Sequence, residues 1–236
     1  MKKLISALLV ALFVSACGQE QSEMSAADGD WRHHGGNHRS DKYSPLDQVN
    51  GSNFALLEVA WRYRSPDLDL PEELAYPTGD YRAVPLVIDG VMYVNSNHGL
   101  ISALDPVTGE EHWVFDPKSY EYGPPLFSPL QTRGIEYWTD GNIERLFIAT
   151  SGKQLVSVDI ETGQPDPNFG DDGYVDLREN FGRFEFEMNN ITHGAPPIAV
   201  GSTVVVGSKI YDFPMYLSLI HISEPTRRTP SSYAVF

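Results

Sequence analysis

The chain has 236 residues, of which 17 are Lys or Arg and 32 are Asp or Glu, so its formal net charge is −15 at pH 7. A chain this acidic is not expected to grip nucleic acid or to bind anionic lipid through a basic patch. Hydrophobic residues make up 41% and charged residues 21%, which is typical of a folded globular protein and excludes a disordered chain. The single cysteine cannot form an internal disulfide, so cysteine usage does not identify a compartment.

The N-terminus has the pattern of a secretory signal. A basic start is followed by a mainly apolar run, Leu4–Val14, which is too short to span a bilayer. The next residues, up to Cys17, resemble a bacterial lipobox, which implies cleavage before Cys17 and acylation of its thiol. We therefore predict a signal peptide over 1–16, a lipid-anchored polar tether over 17–30, and a location on the periplasmic side of a bacterial membrane. A buried N-terminal helix with an incidental cysteine is the alternative.

The C-terminus has a different character from the rest of the chain. Leu217–Arg227 resembles, residue by residue, the in-frame translation of a transposase-type sequencing adapter. We therefore predict that 217–236 is an artefactual tail that takes no part in the fold. A short amphipathic tail that ends in a proline-containing loop is the alternative.

Internal repeats predict the architecture. Residues 91–105 and 145–159 share one alternation of apolar and small residues at an offset of 54 positions, and a third copy from Pro197 matches the segment from Pro85 at an offset of 112. Each unit predicts several short strands separated by Gly or Asp turns, without helical periodicity. Such units are typical of radially repeated sheets, so we predict an all-β fold, a β-propeller, over 31–216. A generic β-meander is the alternative.

The repeat contains an Asp-x-x-Thr-Gly turn. In the first copy Asp105 can accept backbone N–H groups across the turn, Gly109 can supply a positive φ, and Trp113 can offer a flat surface to a neighbouring sheet. The second copy keeps Asp159 and the Thr-Gly pair at 162–163 but has no tryptophan at the equivalent place. We therefore expect Asp105 and Asp159 at equivalent corners of adjacent four-stranded sheets.

The first repeat, Ala103–Trp113, is similar to the tryptophan-docking repeat of quinoprotein dehydrogenases, which use pyrroloquinoline quinone (PQQ). Trp31–Asn50, Thr132–Trp138 and Phe169–Arg178 resemble the same family, and within it the glucose-dehydrogenase-like branch. The resemblance implies an eight-bladed propeller, of which this chain would hold an N-terminal fragment of roughly three blades. It also implies oxidation of an alcohol or sugar hydroxyl, with PQQ and calcium as cofactors and a quinone or cytochrome as electron acceptor.

The same resemblance suggests site residues. Arg133 falls on the family's Arg-Gly-x-x-Tyr-Trp pattern, where the arginine is similar to one that contacts PQQ, and a planar guanidinium suits a carboxylate. A surface arginine is the alternative. Ser208 is suggested as a further cofactor contact and Asp212 as a metal ligand, although a strand-end serine and a loop aspartate without such roles are favoured. Thr132 stands where the family often has cysteine, so a vicinal disulfide beside the cofactor is excluded. No catalytic residue is assigned, because the base is expected in later blades.

Two other constellations predict no site. His33, His34 and His38 with Asp41 contain metal-binding residue types, but adjacent histidines in a strand point to opposite faces and a Gly-Gly loop intervenes before His38. We therefore predict a solvent-facing or hydrogen-bonded histidine cluster. The acidic segment 166–173 departs from the EF-hand pattern and predicts an inter-strand loop. Neither a phosphate-binding glycine loop nor a Gly-x-Ser-x-Gly elbow occurs, which argues against nucleotide and serine-hydrolase chemistry.

Two functions remain open from the sequence. The leading hypothesis is a PQQ-dependent dehydrogenase. The alternative is a non-enzymatic lipoprotein propeller, similar to the scaffold proteins that help assemble outer-membrane barrels; the lipobox fits it, but the Arg133–Trp138 pattern is not expected there. An open arc of sheets has unpaired edges, so the chain alone is expected to be inactive and prone to aggregation.

Overall fold

The computed structural model describes residues 29–122, 132–178, 191–207, 209–210 and 233–235, the last two ranges and 191–192 by their backbone alone. Within these ranges the fold is all-β, as predicted, with 3₁₀ turns at Phe54–Leu56, Pro66–Asp69 and Ser119–Tyr122. In this part of the chain, no helix has both the length and the apolar character that a membrane crossing requires. The predicted signal peptide and Cys17 lie outside the described residues and stay predictions.

The first sheet is an antiparallel meander of four strands. Its strands, in order, are β1 (Leu86–Ile88), β2 (Val91–Asn95), β3 (Ile101–Leu104) and β4 (Glu111–Phe115). Asp89 and Gly90 join β1 to β2, and both have positive φ (48° and 80°), as a type I′ turn requires. An Asp-Gly pair favours this turn, so the local sequence fixes the register of the hairpin.

The second sheet repeats the same strand order. It contains β5 (Glu136–Thr139), β6 (Glu144–Ala149), β7 (Gln154–Asp159) and β8 (Tyr174–Asp176). Two four-stranded meanders in succession match the prediction of adjacent propeller blades rather than one continuous β-meander, since β4 and β5 belong to different sheets.

Further strands follow the second sheet. They are β9 (Ile191–Thr192), β10 (Ile198–Val200), β11 (Thr203–Gly207), β12 (Lys209–Ile210) and β13 (Tyr233–Val235). β10, β11 and β13 form one sheet in that order, and β9 pairs with β12. The pairing of Leu86 with Tyr93 recurs as Ile198 with Val205, so the third repeat has the register of the first. Of the predicted tail the structure describes only β13, and the origin of that tail stays a prediction.

The two predicted aspartate corners are equivalent. The Asp105 Oδ1 atom accepts the backbone N–H groups of Val107 and Thr108 at 2.8 and 2.7 Å. The Asp159 Oδ1 atom accepts the backbone N–H and the hydroxyl of Thr162 at 2.8 and 2.7 Å. Asp105 directly follows the third strand of its sheet and Asp159 is the last residue of the third strand of its own, so the repeat places the same turn at the same corner.

Each turn glycine receives a tryptophan from the preceding part of the chain. Gly163 (φ 68°) lies so close to Trp113 that an added Cβ would stand 2.5 Å from the indole ring. Gly109 (φ 74°) meets Trp61 in the same way at 2.6 Å, and Trp61 Nε1 donates to the Pro106 carbonyl at 3.1 Å. The role predicted for Trp113 is therefore confirmed, whereas the equivalent role of Trp61 was not predicted.

The sheets stack face to face through the alternating side chains of the second sheet. Along β6, Leu146 and Ile148 belong to the hydrophobic cluster shared with the first sheet, whereas Phe147 and Ala149 belong to the cluster that contains Val204 and its neighbours on β11. This two-residue period is the one expected for a strand buried on both faces. The second sheet is therefore the middle layer of the described structure.

The first strands of neighbouring sheets lie close to one another. β5 lies against β10, and the Glu136 Oε1 atom accepts the Ala199 N–H at 3.3 Å. On β1 the otherwise free edge pairs with Trp31, whose N–H donates to the Val87 carbonyl at 2.7 Å while the Val87 N–H donates back at 3.0 Å. The N-terminal segment therefore runs along the first strands of the sheets. The segments that lead into these strands lie close to it.

Candidate cofactor site

Arg133 lies on the rim formed by the segments that lead into the first strands. Its side chain is exposed, and its backbone N–H donates to the Gly194 carbonyl at 2.9 Å, which links the segments before β5 and β10. Among the described residues, none accepts a hydrogen bond from its guanidinium. Arg133 thus combines a bonded backbone N–H with an exposed guanidinium that has no partner in the described part of the chain.

The residue before Arg133 is tied to the first sheet. Thr132 is 2% exposed, its hydroxyl donates to the Asn97 carbonyl at 3.1 Å, and its own carbonyl accepts from Asn95 Nδ2 at 3.2 Å. Buried polar groups that pair in this way are costly to separate. The backbone at 132–133 is therefore bonded to the first sheet through Thr132 and to the segment before β10 through Arg133.

The loop after β2 is a buried polar cluster. Asn95, Ser96, Asn97 and His98 are all buried, and Asn97 Nδ2 donates to the Gly79 carbonyl at 3.0 Å. The Oδ1 atoms of both asparagines and the Nε2 atom of His98 are buried without a partner among the described residues. Unpaired buried polar atoms are rare and mark places where a polar ligand or a water completes the structure.

His98 also fixes a loop from the N-terminal half. Its Nδ1 atom lies 3.0 Å from the Asp67 carboxylate, although the approach is off the direction of a good hydrogen bond. The His98 carbonyl accepts from the Ser119 hydroxyl at 2.5 Å. The two contacts place the 3₁₀ turns at 66–69 and 119–122 beside the polar cluster.

The aromatic residues of the Arg-Gly-x-x-Tyr-Trp pattern hold neighbouring segments. The Tyr137 hydroxyl accepts from Arg32 Nη1 at 3.1 Å and donates to Glu144. Burial first, and the Glu144 carboxylate second, raise the pKa of Tyr137 well above its usual range. Trp138 Nε1 donates to the Gly201 carbonyl at 2.6 Å. Within the pattern, therefore, the two aromatic side chains hold neighbouring segments, whereas the Arg133 guanidinium has no partner among the described residues.

The other predicted contacts cannot be placed. Ser208 and Asp212 lie outside the described residues, so their suggested roles toward PQQ and a metal ion stay predictions.

One arrangement differs from its prediction. The structure brings the rings of His33 and His38 to a centroid distance of 3.9 Å, and both lie beside Glu136. Gly36 (φ 89°) turns the chain back on itself, so the loop joins the two histidines rather than separating them, and the expectation that it kept them apart was wrong. Asp41 is not part of this group, because it accepts instead from Asn37 Nδ2 at 2.9 Å.

Comparison with known proteins decides the family. A family model described as "PQQ: glucose/ethanol/alcohol dehydrogenase, β-propeller domain" matches residues 31–217. The chain belongs to this family. The match confirms both the resemblance to quinoprotein dehydrogenases and the propeller architecture, and it runs through the Arg133 pattern, which favours the dehydrogenase over the scaffold lipoprotein.

Two curated relatives share about a third of their aligned residues with the chain. Quinoprotein glucose dehydrogenase A of Acinetobacter calcoaceticus is 30% identical over 210 residues, which cover 81% of this chain and 26% of the relative. The dehydrogenase subunit of the alcohol dehydrogenase (quinone) of Gluconobacter oxydans is 31% identical over 144 residues, 61% of this chain and 17% of the relative. The chain thus spans about a quarter or less of these relatives' length.

Solved structures show the same fold. A quinohemoprotein alcohol dehydrogenase from Pseudomonas putida HK5 superposes with a TM-score of 0.62 at 26% identity, over 78% of this chain and 23% of that protein. A europium-containing methanol dehydrogenase reaches a TM-score of 0.57 at 22% identity, over 77% and 27%, and shows the fold alone.

Proposed function

We propose that the chain is part of a PQQ-dependent dehydrogenase that oxidises an alcohol or sugar hydroxyl and passes the electrons to a quinone or cytochrome. The observation that carries the proposal is Arg133, whose guanidinium has no described partner, while its backbone N–H is bonded to Gly194 and the preceding residue, Thr132, is bonded to the first sheet. Relatives named as quinoprotein glucose and alcohol dehydrogenases support it.

The described residues fit PQQ in charge. PQQ carries three carboxylates, and Arg133 would bind one of them through the two parallel N–H donors of its planar fork. The buried cluster at 95–98 would keep that arginine in place through the bonds of Asn95 and Asn97 to Thr132. When bound, PQQ would supply the two-electron oxidation, because the redox chemistry belongs to the cofactor and the protein orients it.

The remaining parts of the proposal rest on the sequence. Calcium would be the metal cofactor, and Ser208 and Asp212 would contribute contacts to PQQ and to the metal. Acylation of Cys17 would anchor the protein on the periplasmic side of a bacterial membrane, near a membrane quinone or a cytochrome.

Substitution of Arg133 in the full-length parent protein tests the proposal. A hydrogen bond to a charged group contributes about 1.5–3 kcal/mol, so Arg133→Ala is expected to weaken PQQ binding roughly 10- to 150-fold. Arg133→Lys keeps the charge without the fork and is expected to lose less. Arg64→Ala is the matched control, because Arg64 is an exposed arginine whose described acceptors, Asp69 and the Leu68 carbonyl, are exposed as well. The measurement is a PQQ titration of the apoprotein with calcium, followed by dye reduction.

Two outcomes would contradict the proposal. One is equal PQQ affinity of Arg133→Ala and Arg64→Ala. The other is an absence of dye reduction across a panel of alcohols, polyols and sugars, together with stoichiometric recovery of barrel-assembly components from membranes, which would favour the scaffold. The 236-residue chain alone is expected to show no PQQ-dependent turnover, since most of the ring lies outside it.

A further inference from the structure

A second group of polar side chains meets where the N-terminal segment crosses β5. The His33 Nδ1 atom lies 3.2 Å from the Glu136 Oε1 atom, and the ring of His38 lies over that of His33. One donor atom from each of His33, His38 and Glu136 falls within 4.8 Å of the other two. Two imidazoles and a carboxylate therefore converge on one point.

The carboxylate of this group is short of positive charge. The Glu136 side chain is 4% exposed, and its described partners are the His33 ring and the Ala199 N–H. Arg32, which precedes His33, is already paired with Asp30 at 2.6 Å and with Asp89 at 2.8 Å, and Arg133, three positions before Glu136, forms no described ion pair with it. Buried carboxylates are normally paired with a cation or bound to a metal, so this position favours a cation.

The loop that carries His38 is ordered by its own hydrogen bonds. The Asn37 Oδ1 atom accepts the backbone N–H groups of Arg39 and Asp41 at 3.0 and 3.3 Å. The Lys42 N–H closes the loop on the Gly35 carbonyl at 2.9 Å. His38 is thus held beside His33, while its exposed side chain has no hydrogen-bond partner among the described residues.

We propose that His33, His38 and Glu136 bind a divalent transition-metal ion of the zinc type. Imidazole nitrogen and carboxylate oxygen are ordinary zinc ligands, at about 2.0–2.2 Å, so two ligands of one ion stand at most about 4.4 Å apart. A small rotation of the exposed His38 side chain meets that limit. The ion binds in place of the hydrogen bond between His33 and Glu136. Its ligands are neutral imidazoles and a carboxylate, so any proton beyond the one that each neutral imidazole keeps on its other nitrogen is released to solvent. Calcium fits less well, because it prefers oxygen ligands.

Metal titration of the 236-residue chain, made without a histidine tag, tests the site. Alkylation of Cys17 beforehand removes the chain's only thiol as a competing ligand. Co²⁺ binding is followed by its visible absorption and by competition with Zn²⁺, with one ion expected per chain. Loss of a supporting residue costs about 10- to 100-fold in metal affinity, so His38→Ala, which removes a ligand, is expected to lose at least about tenfold. Zn²⁺ should also raise the Tm of the unsubstituted chain.

His112→Ala is the matched control, because His112 is an exposed histidine on β4, away from the group. It is expected to bind Co²⁺ as the unsubstituted chain does and to keep the Zn²⁺-dependent rise in Tm. His38 lies in an exposed loop, so its variant is expected to fold and can be read even if His33→Ala or Glu136→Gln unfolds. Unchanged Co²⁺ affinity in His38→Ala, or equal losses in both variants, would overturn the proposal. So would displacement of Co²⁺ by an equal concentration of Ca²⁺.

Discussion

Gly163 is a residue at which two separate requirements exclude a side chain. Its φ of 68° is unfavourable for other residues by about 1–2 kcal/mol, and the Trp113 indole occupies the place of a Cβ. Overpacking costs about 1–3 kcal/mol more. Gly163→Ala is therefore expected to lower the free energy of unfolding by about 1–3 kcal/mol more than Gly141→Ala, since Gly141 has φ 93° but no atom within 4 Å of the Cβ position. Urea unfolding of both variants measures the difference, and equal losses would contradict the docking role.

His193 is expected to make stability depend on pH. Its Nδ1 atom lies 3.2 Å from the Gly207 carbonyl and its Nε2 atom is buried without a described partner. Burial lowers the pKa of His193 below the usual 6.5, and the Gly207 carbonyl offsets only part of this effect. At His193 the unfolded chain therefore binds a proton more readily than the folded chain does. Stability that is present above pH 6.5 is lost as the pH falls below that value.

The expected result is a steeper loss of unfolding free energy between about pH 7 and pH 5 in the unsubstituted chain than in His193→Gln. One proton limits the extra slope to about 1.4 kcal/mol per pH unit. Denaturant unfolding at a series of pH values measures it, with His112→Ala as the control histidine. Asp105, whose pKa is lowered by the turn N–H groups, acts in a separate window below 3.8. Identical slopes in the two chains would exclude His193 as the source.

At the scale of elements, the local turns were predictable and the distant contacts were not. Asp105 and Asp159 share a short pattern whose hydrogen bonds close within a few residues, so the sequence contains all of their geometry. Trp61 lies in a stretch with no Asp-x-x-Thr-Gly turn of its own, and its glycine partner belongs to the next sheet. Only the packing of separate segments reveals that pair.

The second sheet shows why its repeat copy lacks a tryptophan. Val158 pairs with Pro165, after which the chain leaves the ladder and returns at Gly173, whose carbonyl accepts the Ser157 N–H at 2.9 Å. Asp166, where this excursion begins, still donates its N–H to the Ser157 carbonyl at 3.0 Å, and its carboxylate pairs with Arg145 at 2.6 Å. The segment predicted as an acidic inter-strand loop thus occupies the outer strand position where the first sheet presents Trp113.

The same difference between local patterns and contacts of distant segments separates the two candidate sites. Arg133 was suggested by a family pattern that is contiguous in sequence, and its role toward the cofactor stays a prediction. The group of His33, His38 and Glu136 was missed, because it joins a turned-back loop to a strand about a hundred positions away, at a motif position that the pattern leaves variable. Spacing alone does not report such tertiary contacts.

At the scale of the whole molecule, residues 57–64 make contacts like those of the fourth, outer strand of a sheet, although they belong to none of the described sheets. Trp61 docks on Gly109 as Trp113 of β4 docks on Gly163, yet Leu57 is 57% exposed. The equivalence predicts that 57–64 is the outer strand of another sheet, whose remaining strands belong to the longer parent protein. In that protein its backbone amides are expected to exchange with solvent more than about tenfold more slowly than in this chain.

Hydrogen exchange with mass spectrometry measures the effect in both proteins. The amides of β6, buried in the middle sheet, serve as the control and are expected to be protected in each. Equal exchange of 57–64 in the two proteins would show that Trp61 docks without a sheet behind it.

The pairing of Trp31 with Val87 joins a segment that is synthesised early to a strand that is synthesised later. Ribosomes add about 5–20 residues per second, so Trp31 exists about 3–11 s before its partner. By the time the hairpin of β1 and β2 has been synthesised, the segment that pairs with the edge of β1 is already present in the same chain. Once the bridge has formed, the edge of β1 is covered by a segment of the same chain and is not open to a strand of another polypeptide.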